Sequence, residues 1–123
     1  MSVSSTGAIR FYGGTKSELE ATGLFNLTST YCGLTTGLSY AYEGEYTWGN
    51  TTKYGYIYNG ADCCIVDKGM TSNMCKEVAA HELGHTLGHS GHDTSYATSV
   101  MYTYAHENYT LNSRDKNHMK QVY

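Results

Sequence analysis

Proline is absent from this chain and charge is scarce: 15% of its 123 residues are charged, and the net charge is −3. With 40% apolar residues, 13 tyrosines and 14 glycines, that balance excludes a disordered segment and suits a folded, polar-surfaced extracellular domain. There is no Lys/Arg cluster, which excludes an electrostatic platform for nucleic acid or an anionic membrane surface. No apolar run approaches the roughly 20 residues that span a bilayer. The N-terminus lacks the basic and apolar regions of a signal peptide, so an exported chain is expected in mature form here, with Met1 added. One domain with one core, residues 1–123, is the expectation at this length. Neither a linker nor an internal repeat interrupts it.

No C-x-x-C pair occurs either, which argues against a cysteine metal site. Four cysteines, Cys32, Cys63, Cys64 and Cys75, allow three pairings when all are oxidised. Adjacent residues on a strand point to opposite faces, and a bridge between Cys63 and Cys64 would need a strained geometry. The expectation is that one of them reaches Cys32 and the other Cys75, with free buried thiols as the alternative. Closing each loop would add about 2–4 kcal/mol in a small domain.

Periodicity divides the chain in two. In the first part Ala8–Tyr12, Leu38–Tyr42 and Tyr54–Tyr58 read as strands, and the more continuously apolar Ala61–Val66 as an interior strand. Lys16–Leu27 is ambiguous, because Leu19, Leu24 and Leu27 could line a helix that Gly23 weakens. The Tyr/Gly/Thr-rich Gly44–Gly60 reads as an exposed hairpin or edge. From about Asn73 the spacing turns helical, with Cys75, Val78, Ala79, Leu83 and Leu87 on one apolar face and Gly88 as a left-handed cap. Asp93–His106 reads as loop. A closing helix begins near Asn112 or Ser113, with Asp115 at its positive end and Met119 and Val122 as its packing stripe.

The helix carries His81-Glu82-Leu83-Gly84-His85-Thr86-Leu87-Gly88-His89-Ser90-Gly91-His92. Histidines four apart lie one above the other, so two neutral imidazoles can meet one zinc at about 2.0–2.1 Å. Glu82 points about 100° away from His81, beside the metal rather than onto it, where it can take a proton from zinc-bound water and pass it to a leaving amine. Gly84 leaves space above the helix, and Gly88 permits a sharp turn back. The third ligand is open. His92 comes first because it follows the glycine turn. His89 would need the helix to run through Gly88, Asp93 is an oxygen donor beside His92, and His106 or Glu107 could arrive from a later element. A ligating His92 would leave Asp93 free to orient an imidazole.

On these residues the sequence resembles the metzincin zinc endopeptidases, matrixin-like (matrix metalloprotease-type) or small bacterial members. The signature H-E-x-x-H-x-x-G-x-x-H is met by His81, Glu82, His85 and Gly88, and Val100-Met101-Tyr102 resembles the Met-turn that places a methionine beneath the zinc. Cys64-Ile65-Val66-Asp67 before Val78-Ala79-Ala80-His81, and Leu111–Asp115 through Tyr123, resemble the flanking strand and closing helix, so the match covers about residues 61–123. Two departures stand out. The family's third histidine position is Gly91 here, with His92 one residue late, and the proline after the Met-turn is missing.

The resemblance implies an α/β (α+β, zincin-like) fold: a twisted mixed sheet packed on an active-site helix, a Met-turn loop and a C-terminal helix. It implies a secreted, zinc-dependent endopeptidase with His81, His85 and His92 as ligands and Glu82 as base. Tyr102 and Tyr104 would line a substrate pocket, where a tyrosine hydroxyl could stabilise an oxyanion, or else simply cover surface. The substrate, an extended protein or peptide, would lie along an edge strand within Ala41–Gly60. Calcium is an ion the family allows, yet no loop has its Asp/Asn spacing. A proteinaceous inhibitor or pro-segment is a further partner class. Two other readings stay open: a catalytically weak zinc-containing binding or inhibitory module, and a zinc hydrolase of small or cell-wall peptides. Four protein ligands would favour the module; three with an open position would favour an enzyme.

Overall fold

A computed structural model of the chain describes residues 2–3, 9–48, 51–89 and 91–122. Strand β4 (Thr51–Val66) organises the sheet. Its last stretch is the apolar run, and Ala61, Cys63, Cys64 and Val66 are all buried there. On one side β4 pairs in parallel with β2 (Ile9–Gly14), and on the other antiparallel with β3 (Gly33–Trp48). Ser2–Val3 forms β1, antiparallel to β2, which gives a mixed sheet of order β1-β2-β4-β3. The fold is thus mixed α/β, as the resemblance implies.

The separate strands expected at Leu38–Tyr42 and Tyr54–Tyr58 are parts of two long arms, 33–48 and 51–66. Register shifts between Thr36 and Tyr42 interrupt the arms without ending them. Such irregularities let a long ribbon bend and twist more strongly. Gly37, in the first shift, has φ +63°, a conformation that favours glycine.

Lys16–Leu27 resolves into a short helix and a turn. Helix α1 (Lys16–Ala21) starts at Thr15 with a reciprocal capping box: Thr15 Oγ1 accepts from Glu18 N, and Glu18 Oε1 accepts from Thr15 N. Gly23, at φ +76°, lies just past its end. Leu19 and Leu27 turn inward, whereas Leu24 is exposed. With Tyr12, Phe25, Cys64, Val66 and the half-buried Leu34 they form the apolar cluster on one face of the sheet. The rings of Tyr12 and Phe25 meet edge-on at 5.4 Å.

Because adjacent strand residues face opposite ways, Cys63 points to the other face, towards Thr35 and Glu82. Helix α2 (Ser72–Thr86) packs there against β3 and β4, capped by Thr71, whose hydroxyl accepts from Met74 N. The apolar face expected for this helix is corrected. Leu83 is exposed, while Glu77, Val78, Glu82 and Gly84 are buried. The helix turns its polar, chemistry-bearing side inward.

The disulfide expectation is corrected as well: all four cysteines are free thiols. Val66 N bonds to Cys32 O while Leu34 sits opposite Cys64, so Cys32 lies diagonal to Cys64. Diagonal neighbours are about 7–8 Å apart, too far for a bridge. Cys63 lies against Glu82, seven positions and about 10 Å along α2 from Cys75. Burial pushes the Cys63 thiol up to about 11 and the Cys64 thiol up to about 12. Both therefore stay protonated and inert.

Helix α3 (Ser113–Val122) starts where expected. Asn112 Oδ1 accepts from Asp115 N, and Asp115 Oδ2 accepts from Asn112 N, closing its first turn. Met119 is half-buried; the expected packing role of Val122 lies outside the described side chains. Among the described residues no helix is long and apolar enough to cross a membrane.

Candidate functional site

The C-terminal turn of α2 builds the site. Leu87 caps the helix, Gly88 follows at φ +108°, Gly88 N bonds to His85 O, and His89 N bonds to Gly84 O. These are the two bonds of a Schellman ending, and they need a residue that accepts positive φ. The chain then reverses to Asp93, whose N–H bonds to Met101 O at 2.7 Å and which bridges Tyr102.

This reversal brings His92 beside the helix. His81, His85 and His92 each place a ring nitrogen within 4.8 Å of the other two. The one-residue displacement from Gly91 is therefore absorbed by the loop between Gly88 and Asp93. The alternatives are sorted by position. His89 is buried and contributes its carbonyl to His85 Nδ1 at 2.7 Å. Asp93 Oδ2 lies 2.7 Å from Arg114 Nε, and its Oδ1 accepts from the amides of Ser95 and Tyr96. His106 Nε2 lies 2.8 Å from Ser99 O, and Glu107 accepts from Thr71.

The tautomers fit a metal. His81 Nδ1 lies 2.7 Å from Val100 O, as His85 Nδ1 does from His89 O. A carbonyl only accepts, so each Nδ1 carries the proton and each Nε2 presents a lone pair. Those two Nε2 atoms are 3.2 Å apart. Two lone pairs so close repel unless a cation lies between them, and ligands of one tetrahedral zinc are about 3.3 Å apart. Burial, with the neighbouring His85, holds His81 down at about 3, and burial lowers His85 too. Both imidazoles are thus neutral at pH 7, the ligating form. The donor set, three imidazole nitrogens, suits zinc.

Glu82 is buried, and its Oε2 accepts from Thr35 Oγ1 at 2.5 Å. Burial raises this carboxyl to about 7 against the lowering pull of the Thr35 bond. Gly33 makes the close approach of β3 to α2 feasible, because a Cβ there would come within 2.7 Å of Cys64 O and of Val78 Cγ1. Thr35 carries no sequence signal of its own, standing in a Thr-rich stretch.

Met101 is 1% exposed and packs under the helix, where a Cβ on Gly84 would collide with its Sδ. Asp115 ties this turn to α3, accepting from Ser99 Oγ at 2.5 Å and from Val100 N at 3.2 Å.

A cavity of about 810 Å³ opens beside the histidines. Gly33, Leu34, Thr35 and Leu38 of β3 line it, as do Tyr102–Ala105. The first part of β3 thus borders the site, upstream of the Ala41–Gly60 stretch expected to do so. Tyr102 and Tyr104 both line the cavity, their rings 6.0 Å apart. Sequence reasoning missed Glu77, which lies one turn before His81 and is 1% exposed.

No curated protein and no solved structure matches the chain. The Matrixin peptidase family model matches residues 12–123, which extends the likeness from the second half back to β2. Over nine-tenths of its length, then, this chain belongs to the matrixin family of zinc metallopeptidases.

Proposed function

We propose that the chain is an endopeptidase that hydrolyses internal bonds of extended peptides and proteins, with His81, His85 and His92 holding one zinc and Glu82 acting as general base. The observation that carries this reading is the convergence of two proton-free Nε2 atoms and the His92 ring beside a buried, hydrogen-bonded carboxyl. When bound, zinc would supply Lewis-acid polarisation of the scissile carbonyl and acidify water. The rest falls to the chain. Val100 O and His89 O hold the imidazoles in their ligating tautomer. Glu82 accepts the proton of the attacking water as its oxygen bonds to the carbonyl carbon. It then returns that proton to the nitrogen as the C–N bond breaks. Three gathered imidazoles rather than four ligands, as found among the described residues, support this reading over a sealed binding module.

Glu82→Gln keeps the shape and removes the base. Zinc should stay bound while peptide hydrolysis falls about 10³-fold; full activity in that variant would sink the mechanism. Digestion of a peptide library with and without chelator separates an endopeptidase from a hydrolase of small or cell-wall peptides. A secreted location is part of the same proposal, on composition and the family resemblance, and detection in culture medium checks it.

A further inference from the structure

Glu77 is the carboxyl that the mechanism above does not use. It lines the same cavity as His81, is 1% exposed, and its Oε1 has no hydrogen-bond partner. Its Oε2 receives one long contact, 3.4 Å from His106 N. His106 offers little more. Its Nδ1 accepts from Asn108 N at 3.1 Å, so the ring proton is on Nε2, which points it to Ser99 O at 2.8 Å and leaves Oε1 at 3.4 Å. Lys76, next in sequence, lies over the Tyr109 ring instead. Among the described residues no lysine or arginine pairs with Glu77. An acid left this way costs stability, which a donor arriving from outside would recover.

The geometry points to Glu77 as the specificity-determining residue of the cavity, selecting a peptide side chain that ends in a cation. Glu77 is four residues before His81 on α2, about 6 Å along the helix. That is about the reach of a lysine's four-carbon stem, so a basic residue beside the scissile bond can place its head group at the carboxyl. The stem would run past Leu38 and Tyr102, both of which line the cavity. Burial holds the Glu77 carboxyl at about 7, and an arriving ammonium would draw it towards the ionised form.

This inference rests on the peptidase reading, and one experiment separates their failures. Peptides identical but for lysine or norleucine, placed in turn on either side of one bond, are offered to the zinc-loaded protein at pH 8. Cleavage is followed on the wild type, and equilibrium binding on Glu82→Ala. The lysine peptide should be bound and cut at least tenfold better than its norleucine twin, and Glu77→Gln should bring that ratio near one. Binding with the lysine preference but no cleavage by the wild type overturns the peptidase reading and leaves Glu77 standing. Cleavage without preference, or a preference that survives Glu77→Gln, overturns the role of Glu77. Absence of both binding and cleavage overturns both.

Discussion

Thr35 Oγ1 donates to Glu82 Oε2 at 2.5 Å, so the carboxyl on α2 is held by the neighbouring strand β3. The same hydroxyl lies 3.1 Å from Glu82 O. Strand and helix are thereby locked at the point where a base must be aimed. Because this bond favours the ionised form of Glu82, its loss should raise the carboxyl further. Thr35→Val is expected to lower kcat about tenfold with little change in KM, and to move the acidic limb of the rate profile to higher pH. Thr35→Ser should restore both. An unshifted limb in Thr35→Val would show that the bond does not act through Glu82.

Gly84 and Met101 form a second matched pair. The helix can lie on the Met101 sulfur only because Gly84 has no Cβ. Gly84→Ala is expected to cost about 1–3 kcal/mol through overpacking. The cost should shrink by at least about 1 kcal/mol in a Met101→Ala background, where the obstructing sulfur is gone. Denaturant unfolding of the two singles and the double measures this, and strictly additive losses would contradict the contact.

Asp93 and Arg114 hold the loop that delivers His92. Arg114 Nε binds Asp93 Oδ2 at 2.7 Å, with side-chain exposures of 24% and 1%, and its guanidinium lies 4.5 Å from the Tyr96 ring centre. Arg114→Met would remove the arginine from this buried carboxylate, at about 3 kcal/mol given the partial exposure of the arginine. Since His92 immediately precedes Asp93, zinc affinity should fall about tenfold. Competition against a chromophoric chelator reads this directly, and undiminished affinity would free His92 from dependence on the bridge.

What could be read from sequence was what lies close along the chain. That His81 and His85 share one helix face is a matter of i, i+4 spacing, and the Gly88 ending follows from the φ that a turn after a helix needs. Met101 is legible through its resemblance to the Met-turn, and His92 through the glycine turn that precedes it. Apolar periodicity misled for α2. It favours Leu83, yet the helix buries Glu77 and Glu82 because its inner side borders the cavity beside the histidines and its apolar contact with the sheet rests on few residues such as Val78. Thr35, Arg114 and the β3–β4 arms depend on partners 21 to 47 residues away or on cross-strand register, which no local spacing encodes. The cysteine pairing failed for the same reason: their number suggested bridges, but register and face decide the distances.

Glu77 also gives the fold a distinctive response to pH. Burial raises its carboxyl from the ordinary 4.5 to about 7. The native state therefore keeps the proton through a range where the unfolded chain has lost it. The stabilisation is complete below about pH 4.5 and is lost as pH rises to about 7, by as much as about 3 kcal/mol. His81, held down at about 3, acts in the opposite sense, since the unfolded imidazole takes up a proton below about 6.5 while the native one does not. The raw stability curve mixes these slopes, so the difference between Glu77→Gln and wild type is the quantity to follow. Denaturant unfolding of the zinc-free proteins between pH 4.5 and 8 should show the variant gaining on wild type as pH rises to about 7, then running parallel to it. A difference that stays constant across that range would mean that the buried carboxyl titrates in the folded protein as it does in the unfolded one.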